Sequence, residues 1–342
     1  MGRAALSEHS LDSKLRALAQ GLASLRQAAG DATSASLPLM TVYASPLPPP
    51  PRLSPDDPRA ASVHRLMLDV ERKAGIKVGP QVEAKLARLL AETPPVEVAS
   101  WVSGLERLEP EHPDWLDLVE SLTVHETYFY RDQPQLDYLR RQILPGLIAE
   151  RRGQPRPALT IWSAACSTGE EAYTFAMIVL LALLEAGEAV ETAAGVQVNS
   201  RWNLSVLGTD ISRQALRHAA AACYTATGLS SFRDLPRDFE RFFVVRPPGH
   251  ERMVRGDARA LVRFQRYNLL SARPAQMGCD VVACRNVLVY FDAQGRRVAQ
   301  ESCWDALRPG GMLMLGPADT IEFPDRFRTI WGPATVMYEK KG

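Results

Sequence analysis

The stretch SAACSTGEEAYTFAM, residues Ser163–Met177, follows a short run with β-branched residues and leads into a strongly apolar helical pattern. It places four very small residues, a glycine and two adjacent carboxylates where a buried strand turns into a helix. In a doubly wound sheet, such a turn lies beyond the carboxyl end of a central strand, where ligands bind. Its small side chains let a ligand approach the backbone, and the start of the helix offers free N–H groups.

The charges of this turn argue against a phosphate ligand. A phosphate-binding turn normally adds a lysine, as in GxxxxGK[ST], or the three glycines of GxGxxG, and neither pattern is present. Glu170 and Glu171 would repel a polyphosphate, and they suit a ligand with a cationic group. An alternative is that the two glutamates only complement the helix macrodipole.

Predicted strands and helices alternate on both sides of this turn, with strands at Leu159–Trp162, Leu204–Gly208, Cys279–Cys284 and Met312–Leu315. The predicted helices are Gln133–Arg151, Gly169–Glu185, Ser212–Ala222 and Ala293–Ala306. This alternation predicts an α/β fold with a doubly wound, mostly parallel sheet and helices on both faces. It breaks around residues 234–267, where the runs Phe242–Val245 and Leu261–Phe264 predict a small antiparallel β insertion.

The N-terminal part of the chain has a different composition. Residues 1–30 predict one amphipathic helix whose leucines form a heptad seam, which either lies on the catalytic domain or docks to a partner or a second subunit. Residues 31–58 hold eight prolines and predict an extended linker. Residues 59–125 predict a small helical domain, and residues 126–342 form the α/β domain. The helices of the domain at residues 59–125 are predicted at Val63–Ala74, Pro80–Ala91, Pro95–Leu105 and Asp114–Leu122.

Composition narrows the function classes. The longest apolar run, Ala176–Leu184, is far shorter than the roughly 20 residues of a membrane span, so we expect a cytoplasmic protein without membrane insertion. The net charge of +1 gives no reason to expect nucleic acid as a partner. No pair among the five cysteines has the spacing of a zinc or redox site, and His64, His112, His218 and His250 show no metal-ligand spacing, so no metal site is predicted. The segment 233–273 carries ten arginines against five acidic residues, a surface that could face an acidic partner.

The second predicted strand ends in LGTD, residues Leu207–Asp210. An acid at this point commonly accepts both hydroxyls of a ribose, although Asp210 also suits the N-cap of the helix that follows. Together with the first turn, Asp210 describes an adenosine site without phosphates. That combination favours S-adenosylmethionine over NAD or ATP.

Three further stretches decide the family: LTVHETYFYRD at Leu122–Asp132, YNLL at Tyr267–Leu270 and CRNVLVYFD at Cys284–Asp292. With ACSTGEEAY and LGTDIS, they resemble in order and spacing the CheR family of chemotaxis-receptor glutamate O-methyltransferases, over roughly residues 60–340. The resemblance implies a class I S-adenosylmethionine-dependent methyltransferase, with a Rossmann-like sheet and a small N-terminal helical domain. Its cofactor is S-adenosyl-L-methionine, its product S-adenosyl-L-homocysteine, and its partners are the cytoplasmic helices of bacterial chemoreceptors.

The resemblance also assigns site residues. Arg131 is expected to orient the reacting carboxylate, and Tyr290 to lie close to the transferred methyl group. Glu171 is the expected ligand of the methionine amino group, and Asp210 that of the ribose. The other expected cofactor-binding residues also match motif positions. Asn268 and Leu269 are expected beside the adenine, and Arg285 and Asn286 beside the methionine moiety. The remaining three are Thr127, Arg131 and His125, which stands where many members have asparagine.

Several alternatives stay open at this stage. Tyr290 could be an ordinary aromatic residue that closes the sheet, since VLVYF alternates like a buried strand. GPADTI stands where the family commonly has GHSES, so Asp319 receives no role. A methyltransferase for a small carboxylate or amine, or a non-catalytic S-adenosylmethionine-binding signalling module, are the competing functions. Loss of Arg131, Tyr290 or Asp210 would be typical of the non-catalytic module, and all three are present.

The residues that contact the receptor are a further hypothesis. The family presents a basic helix of its N-terminal domain to the receptor, but the matching helix here has only Lys85 and Arg88. We therefore expect receptor contact from insertion arginines such as Arg252 and Arg255. A receptor-tail peptide at the β insertion, and a partner for the N-terminal helix, are further candidate interactions.

Overall fold

The computed structural model describes residues 54, 56–90, 93–122, 126–227, 231–247, 249–271 and 273–342. The predicted helix within residues 1–30 and most of the proline-rich segment 31–58 lie outside the described residues. The chain divides into two compact units, Met1–Thr123 and Val124–Gly342. Within the described residues, no helix combines the length and the apolar character needed to cross a membrane.

The described part of the first unit is helical, as predicted. Lys73, near the end of the first helix, donates hydrogen bonds from Nζ to the carbonyl oxygens of Glu106 and Leu108, both at 2.9 Å, and lies 4.7 Å from the ring centroid of Trp115. Lysine at a helix end binds otherwise unpaired carbonyls, so this residue joins three of the four helices. The helices are α1 (Ala60–Ala74), α2 (Pro80–Leu90), α3 (Pro95–Glu106) and α4 (Pro113–Leu122).

The second unit begins with a continuous helical stretch and then alternates strands with helices. The first stretch has a π-helical segment, Leu139–Ile143, between α5 and α6. Its helices are α5 (Gln133–Tyr138), α6 (Leu144–Arg151), α7 (Glu170–Glu185), α8 (Arg213–Ala221), α9 (Gly256–Arg259) and α10 (Ala293–Ala306). Its strands are β1 (Ala158–Ala164), β2 (Ala189–Thr192), β3 (Gly195–Val198), β4 (Asn203–Asp210), β5 (Cys223–Thr225), β6 (Phe243–Arg246), β7 (Glu251–Val254), β8 (Val262–Arg266), β9 (Cys279–Cys284), β10 (Leu307–Leu315), β11 (Phe327–Gly332) and β12 (Thr335–Lys340).

Seven strands form the main sheet in the order β11-β12-β10-β9-β1-β4-β8. The five strands from β10 to β8 are parallel, and the β11–β12 hairpin adds an antiparallel edge. Both faces of the central strands are buried, as expected for a parallel sheet. Ile161 belongs to the core on one face, with α7, and Trp162 to the core on the other face, with α10. The predicted doubly wound, mostly parallel sheet is confirmed.

Three predicted details of the sheets are wrong. The run Leu261–Phe264 belongs to β8 of the main sheet, parallel to β4, and not to the small insertion. The small antiparallel sheet has the order β5-β7-β6, so it also recruits Cys223–Thr225, upstream of the predicted insertion. Strand β10 starts at Leu307 and passes through Pro309-Gly310-Gly311 with a shift of register against β9, where the sequence predicted a turn before the strand.

Candidate functional site

The turn between β1 and α7 has an unusual backbone. Ala165 and Ser167 have φ angles of 66° and 51°, and Gly169, which precedes α7, has a φ of 94°. A left-handed backbone conformation is unfavourable for any residue that has a Cβ atom. Such residues therefore concentrate where function fixes the backbone. Gly169 is required for a second reason, because a Cβ there would lie 2.7 Å from the Cβ of Ala219.

Asp210 closes this turn from the end of β4. Its carboxylate accepts the backbone N–H of Ser167 at 2.9 Å and that of Ser212, also at 2.9 Å. The residue is 7% exposed. The N-cap of α8 is Ser212, whose side chain accepts the N–H of Ala215, so the alternative role of Asp210 as that N-cap is wrong. Asp210 instead fixes the glycine-containing turn beside the ends of β1 and β4.

Glu171 belongs to a buried ion cluster at the same edge of the sheet. Its carboxylate accepts from the hydroxyl of Ser163 at 2.6 Å and pairs with Nη1 of Arg285 at 2.9 Å. Nη2 of Arg285 pairs with Asp132 at 2.8 Å and donates to the carbonyl oxygen of Arg131 at 2.6 Å. Nε of Arg285 is buried and has no partner within the described structure. Burial raises the pKa of Glu171, against the opposing effect of Arg285.

Glu170 has a different set of partners from its neighbour. Its carboxylate accepts from Thr168 at 2.6 Å and from Ser231 at 2.8 Å, and the residue is 3% exposed. These bonds tie the turn to the segment that leads into the small sheet. Glu170 is therefore a bracing residue at the start of α7, and Glu171 is the acid that faces the ion cluster.

Arg131 lies between two residues with left-handed backbone, Tyr130 and Asp132, whose φ angles are 63° and 60°. Its guanidinium donates to the carbonyl oxygen of Glu126 at 3.0 Å and lies 5.7 Å from the ring centroid of Tyr128. No carboxylate of the described chain forms an ion pair with it. Arg285 holds the backbone of Arg131 in place through its bond to the carbonyl oxygen.

The turn after β9 joins the site through Asn286 and Asp319. Asn286 has a φ of 60°, and its N–H donates to Oδ2 of Asp319 at 3.2 Å. The same oxygen accepts from the N–H of Gly316 at 3.1 Å, while Oδ1 is buried without a partner in the described structure. Burial raises the pKa of Asp319. This residue received no role from the sequence because its segment departs from the family pattern.

The remaining predicted residues differ in their surroundings. Asn268 accepts the N–H of Leu270 at 3.0 Å in the loop after β8, and Leu269 is buried in the core shared with α10. Tyr290 lies in a 3₁₀ turn, Leu288–Tyr290, and is 38% exposed, so the reading of VLVYF as a buried strand is wrong. Thr127 is half-buried in the segment before Arg131.

The structure thus brings Glu171, Arg285 and the backbone of Arg131 into direct contact, with Asp210 bound to the same turn. His125 lies outside the described residues. Sequence reasoning missed Asp132 and Ser163, the other two members of the ion cluster. Both stand beside predicted positions, but nothing in their local pattern distinguishes a site residue from an ordinary helix-start or strand residue. No cluster of metal-ligating side chains occurs in the described parts of the chain.

Comparison with known proteins gives the family. The sequence model described as CheR methyltransferase, SAM binding domain, matches residues 125–336. Chemotaxis protein methyltransferase 2 of Vibrio cholerae is 33% identical over 207 residues, which cover 60% of this chain and 65% of that protein. Chemotaxis protein methyltransferase 1 of Pseudomonas aeruginosa is 29% identical over 279 residues, which cover 80% of this chain and 95% of that protein.

Among solved structures, a TehB-like SAM-dependent methyltransferase from Corynebacterium glutamicum is similar at 13% identity, with a TM-score of 0.30, over 58% of this chain and 87% of that one. A likeness this slight supports no statement about function. The match to the family model, together with the strand order of the main sheet, confirms two predictions: the class I methyltransferase fold and S-adenosylmethionine as the cofactor.

The residues at this edge of the sheet fit that cofactor. S-adenosylmethionine has a cationic sulfonium, a charged amino group and one carboxylate, but no phosphate. The site offers the carboxylates of Glu171 and Asp210 for cationic and hydroxyl groups, and the buried, unpartnered Nε of Arg285 for an acceptor atom. A glycine is required at position 208, next to this turn, because a Cβ there would lie 2.7 Å from the ring of Phe264 and 3.0 Å from Sγ of Cys166.

Proposed function

Because the chain belongs to the CheR methyltransferase family, we propose that it methylates glutamate side chains of methyl-accepting chemotaxis proteins, forming glutamate methyl esters in chemosensory adaptation. In this proposal, residues 126–342 are the catalytic domain and residues 59–125 are the helical CheR N-terminal domain. The protein acts in the cytoplasm, at membrane-bound receptor arrays that it reaches through protein contacts.

The observation that carries the proposal is the placement of Arg131. Arg285 donates to the carbonyl oxygen of Arg131 at 2.6 Å and pairs through its other terminal nitrogen with Glu171 at 2.9 Å. The residue proposed to meet the acceptor is therefore held by the same guanidinium that pairs with the proposed cofactor ligand. Since no described carboxylate forms an ion pair with Arg131, its cation is available to an acceptor carboxylate.

The chemistry needs little more than alignment. S-adenosylmethionine supplies, when bound, a methyl group activated by its sulfonium. An acceptor glutamate, with an ordinary pKa of about 4.3, is ionised at neutral pH and needs no general base. Arg131 orients that carboxylate, and positioning of this kind can lower a barrier by roughly 7–11 kcal/mol. Arg131 must hold the acceptor carboxylate without a tight bidentate ion pair, because such a pair would reduce the nucleophilicity of the carboxylate.

Other residues complete the proposed site. Glu171 binds the methionine amino group, Asp210 binds the ribose hydroxyls, and Tyr290 lies close to the transferred methyl group. His125, Thr127, Asn268, Leu269 and Asn286 keep the cofactor-binding roles that their motif positions imply.

Receptor binding is proposed for the small sheet. Its arginines, such as Arg252 and Arg255, make the contacts that a basic helix makes elsewhere in the family. A receptor-tail peptide is a second candidate ligand of this sheet, and the helix predicted from the sequence within residues 1–30 is proposed to take a separate partner.

The test uses methyl-labelled S-adenosylmethionine and membranes that contain a chemoreceptor encoded by the same genome. We expect label in the receptor that is released by base, because carboxyl methyl esters hydrolyse readily under alkaline conditions. Double charge reversal of Arg252 and Arg255 should reduce this label if the small sheet binds the receptor. Label that resists base would exclude an ester, and cofactor binding without any transfer would favour the non-catalytic module.

A further inference from the structure

A second arginine is fixed next to the segment that carries Arg131. The carbonyl oxygen of Ser231 accepts the N–H of Phe129 at 2.8 Å, and the hydroxyl of Ser231 donates to Glu170 at 2.8 Å. The ring of Phe232 stacks on that of Phe129, with centroids 5.3 Å apart. These contacts hold the backbone leading to Arg233 against both the start of α7 and the segment 126–132.

Arg233 and Arg131 share one aromatic ring. The Cζ of Arg233 lies 3.8 Å from the ring centroid of Tyr128, and that of Arg131 lies 5.7 Å from the same centroid. A guanidinium stacked on an aromatic ring keeps its planar fork of N–H donors free for a carboxylate. The stack therefore holds two arginine donor groups near one another, one of them the proposed acceptor ligand.

Glu126 connects the two arginines. Its carboxylate pairs with Nη2 of Arg233 at 3.0 Å, and its backbone carbonyl oxygen accepts from Nη1 of Arg131 at 3.0 Å. The side chain of Glu126 is 72% exposed, and exposed ion pairs are weak because water competes for both charges. The carboxylate of Glu126 can leave Arg233 at small cost, while its backbone contact with Arg131 and the stack on Tyr128 stay in place.

We propose that Arg233 is a second acceptor-binding residue, and that Glu126 is the chain's own carboxylate that occupies it until an acceptor carboxylate takes its place. The inference rests on the proposed function, since it assumes that the acceptor is a carboxylate. The exchange replaces one carboxylate by another on the same donor fork and involves no covalent step. With Arg233 to capture the entering side chain, Arg131 can align it without clamping both oxygens.

The test compares two single variants of the full chain, Arg233→Gln and Glu126→Gln, with the same receptor membranes. Arg233→Gln should raise the KM for the receptor by about tenfold, because it removes a charged hydrogen bond to the acceptor. Glu126→Gln should lower that KM by up to about fivefold, because it removes the internal competitor. Calorimetry should show an unchanged affinity for S-adenosylhomocysteine in both variants. Arg201→Gln is the matched control, since Arg201 pairs with Glu188 at 2.7 Å, is similarly exposed and lies on the segment leading into β4.

Opposite signs of the two KM effects support the inference, because a purely structural ion pair would lose the same contact in either variant. Two KM values that rise together, or that both stay unchanged, overturn it even if receptor methylation itself is intact. Should Arg233→Gln not fold, the exposed Glu126→Gln variant alone decides, and an unchanged or raised KM overturns the inference. A wild-type chain that methylates no receptor carboxylate would instead refute the proposed function, and this inference with it.

Discussion

Strand β9 carries an arginine–carboxylate cluster at each of its ends. The N-edge cluster is built on Asp280, the second residue of the strand, with Arg151 and Arg308. The C-edge cluster is built on Arg285, which follows the last residue of the strand, with Glu171 and Asp132. Both clusters are largely buried and place one charge between two of the opposite sign, so they differ in the sign of their net charge and in their completeness.

The N-edge cluster is fully satisfied. Oδ1 of Asp280 binds Arg151 and, at 2.5 Å, Nε of Arg308, while Oδ2 accepts from Arg151 at 3.0 Å and from the N–H of Thr160 at 2.8 Å. No non-glycine residue in this cluster or next to it has a positive φ angle. The cluster joins α6, β1, β9 and β10, and none of its buried polar atoms lacks a partner in the described structure, so we assign it to the stability of the fold.

The C-edge cluster is incomplete and strained. Nε of Arg285 has no partner in the described structure, and five of the seven non-glycine residues with positive φ in the described chain flank this edge: Tyr130, Asp132, Ala165, Ser167 and Asn286. Unpaired buried polar groups and strained backbone are retained where a ligand completes the site. The same residue types thus build a brace at one edge and the proposed binding site at the other.

The largest expected effect belongs to the N-edge cluster. Asp280→Ala should lower the free energy of unfolding by about 3–5 kcal/mol, because it leaves Arg151 and Arg308 without their carboxylate. Denaturant unfolding measures this loss, and calorimetry should show that the folded variant binds S-adenosylhomocysteine as the wild type does. Arg328→Gln, which breaks an exposed pair with Glu339, is the control and should cost less than about 1 kcal/mol. If Asp280→Ala binds S-adenosylhomocysteine more weakly than the wild type does, the N-edge cluster also serves binding, and the proposed difference between the two edges is wrong.

Glu171→Gln should show the reverse pattern. We expect its affinity for S-adenosylhomocysteine to fall roughly 10- to 100-fold, since a charged hydrogen bond is worth about 1.5–3 kcal/mol. The free energy of unfolding should fall much less than in Asp280→Ala, because burial already disfavours the charge of Glu171. Glu170→Gln is the matched control, since Glu170 binds Thr168 and Ser231 and should affect affinity less.

The pH dependence of binding follows from the raised pKa of Glu171. Protonation removes the charge that binds a cationic amino group, so affinity should fall as the pH drops through the raised pKa of Glu171. A pKa raised by folding also means that the folded state binds more protons, so this residue's contribution to stability declines as the pH rises through the same window. Both dependences should disappear in Glu171→Gln. Persistence of the affinity change in that variant would assign it to another group.

Asp319 should give the smallest of these effects. Asp319→Ala removes the acceptor of the N–H groups of Asn286 and Gly316, and we expect about a fivefold loss of affinity for S-adenosylhomocysteine, as for one hydrogen bond of about 1 kcal/mol. Asp319→Asn keeps an acceptor oxygen and should recover most of the affinity. If the asparagine variant binds as weakly as the alanine variant, the charge of Asp319 is required, and not only its hydrogen bonds.

Local patterns in the sequence were sufficient for the central part of the fold. The limits of β9 and α10 are those predicted, because a short run that is apolar except for Asp280 and an Asp N-cap define them within a few residues. The run Leu261–Phe264 was placed in the wrong sheet, since strand patterns do not reveal which neighbour a strand pairs with. The glycines at 310 and 311 resemble a turn, but the register shift in β10 accommodates them inside the strand.

The site was predictable only where a motif marked it. Glu171 and Arg285 lie 114 positions apart in the sequence, and their contact depends on β1 and β9 being neighbours in the sheet. Asp132 and Arg233 carry no local signal, because the position of Asp132 depends on the left-handed backbone at 132, and the proposed role of Arg233 depends on the packing of the segment 231–233. Asp319 was missed for a similar reason, since its partners are backbone N–H groups.

The central claim is that Arg131, held by the C-edge cluster, acts mainly on the acceptor and contributes little to cofactor affinity. The most direct measurement compares Arg131→Ala with the wild type in two quantities, turnover of receptor methylation at saturating cofactor and the dissociation constant for S-adenosylhomocysteine. We predict that turnover falls by about a hundredfold or more, as for loss of one preorganised charged group, while the dissociation constant changes only about threefold or less. Equal losses in both quantities would contradict the assigned role.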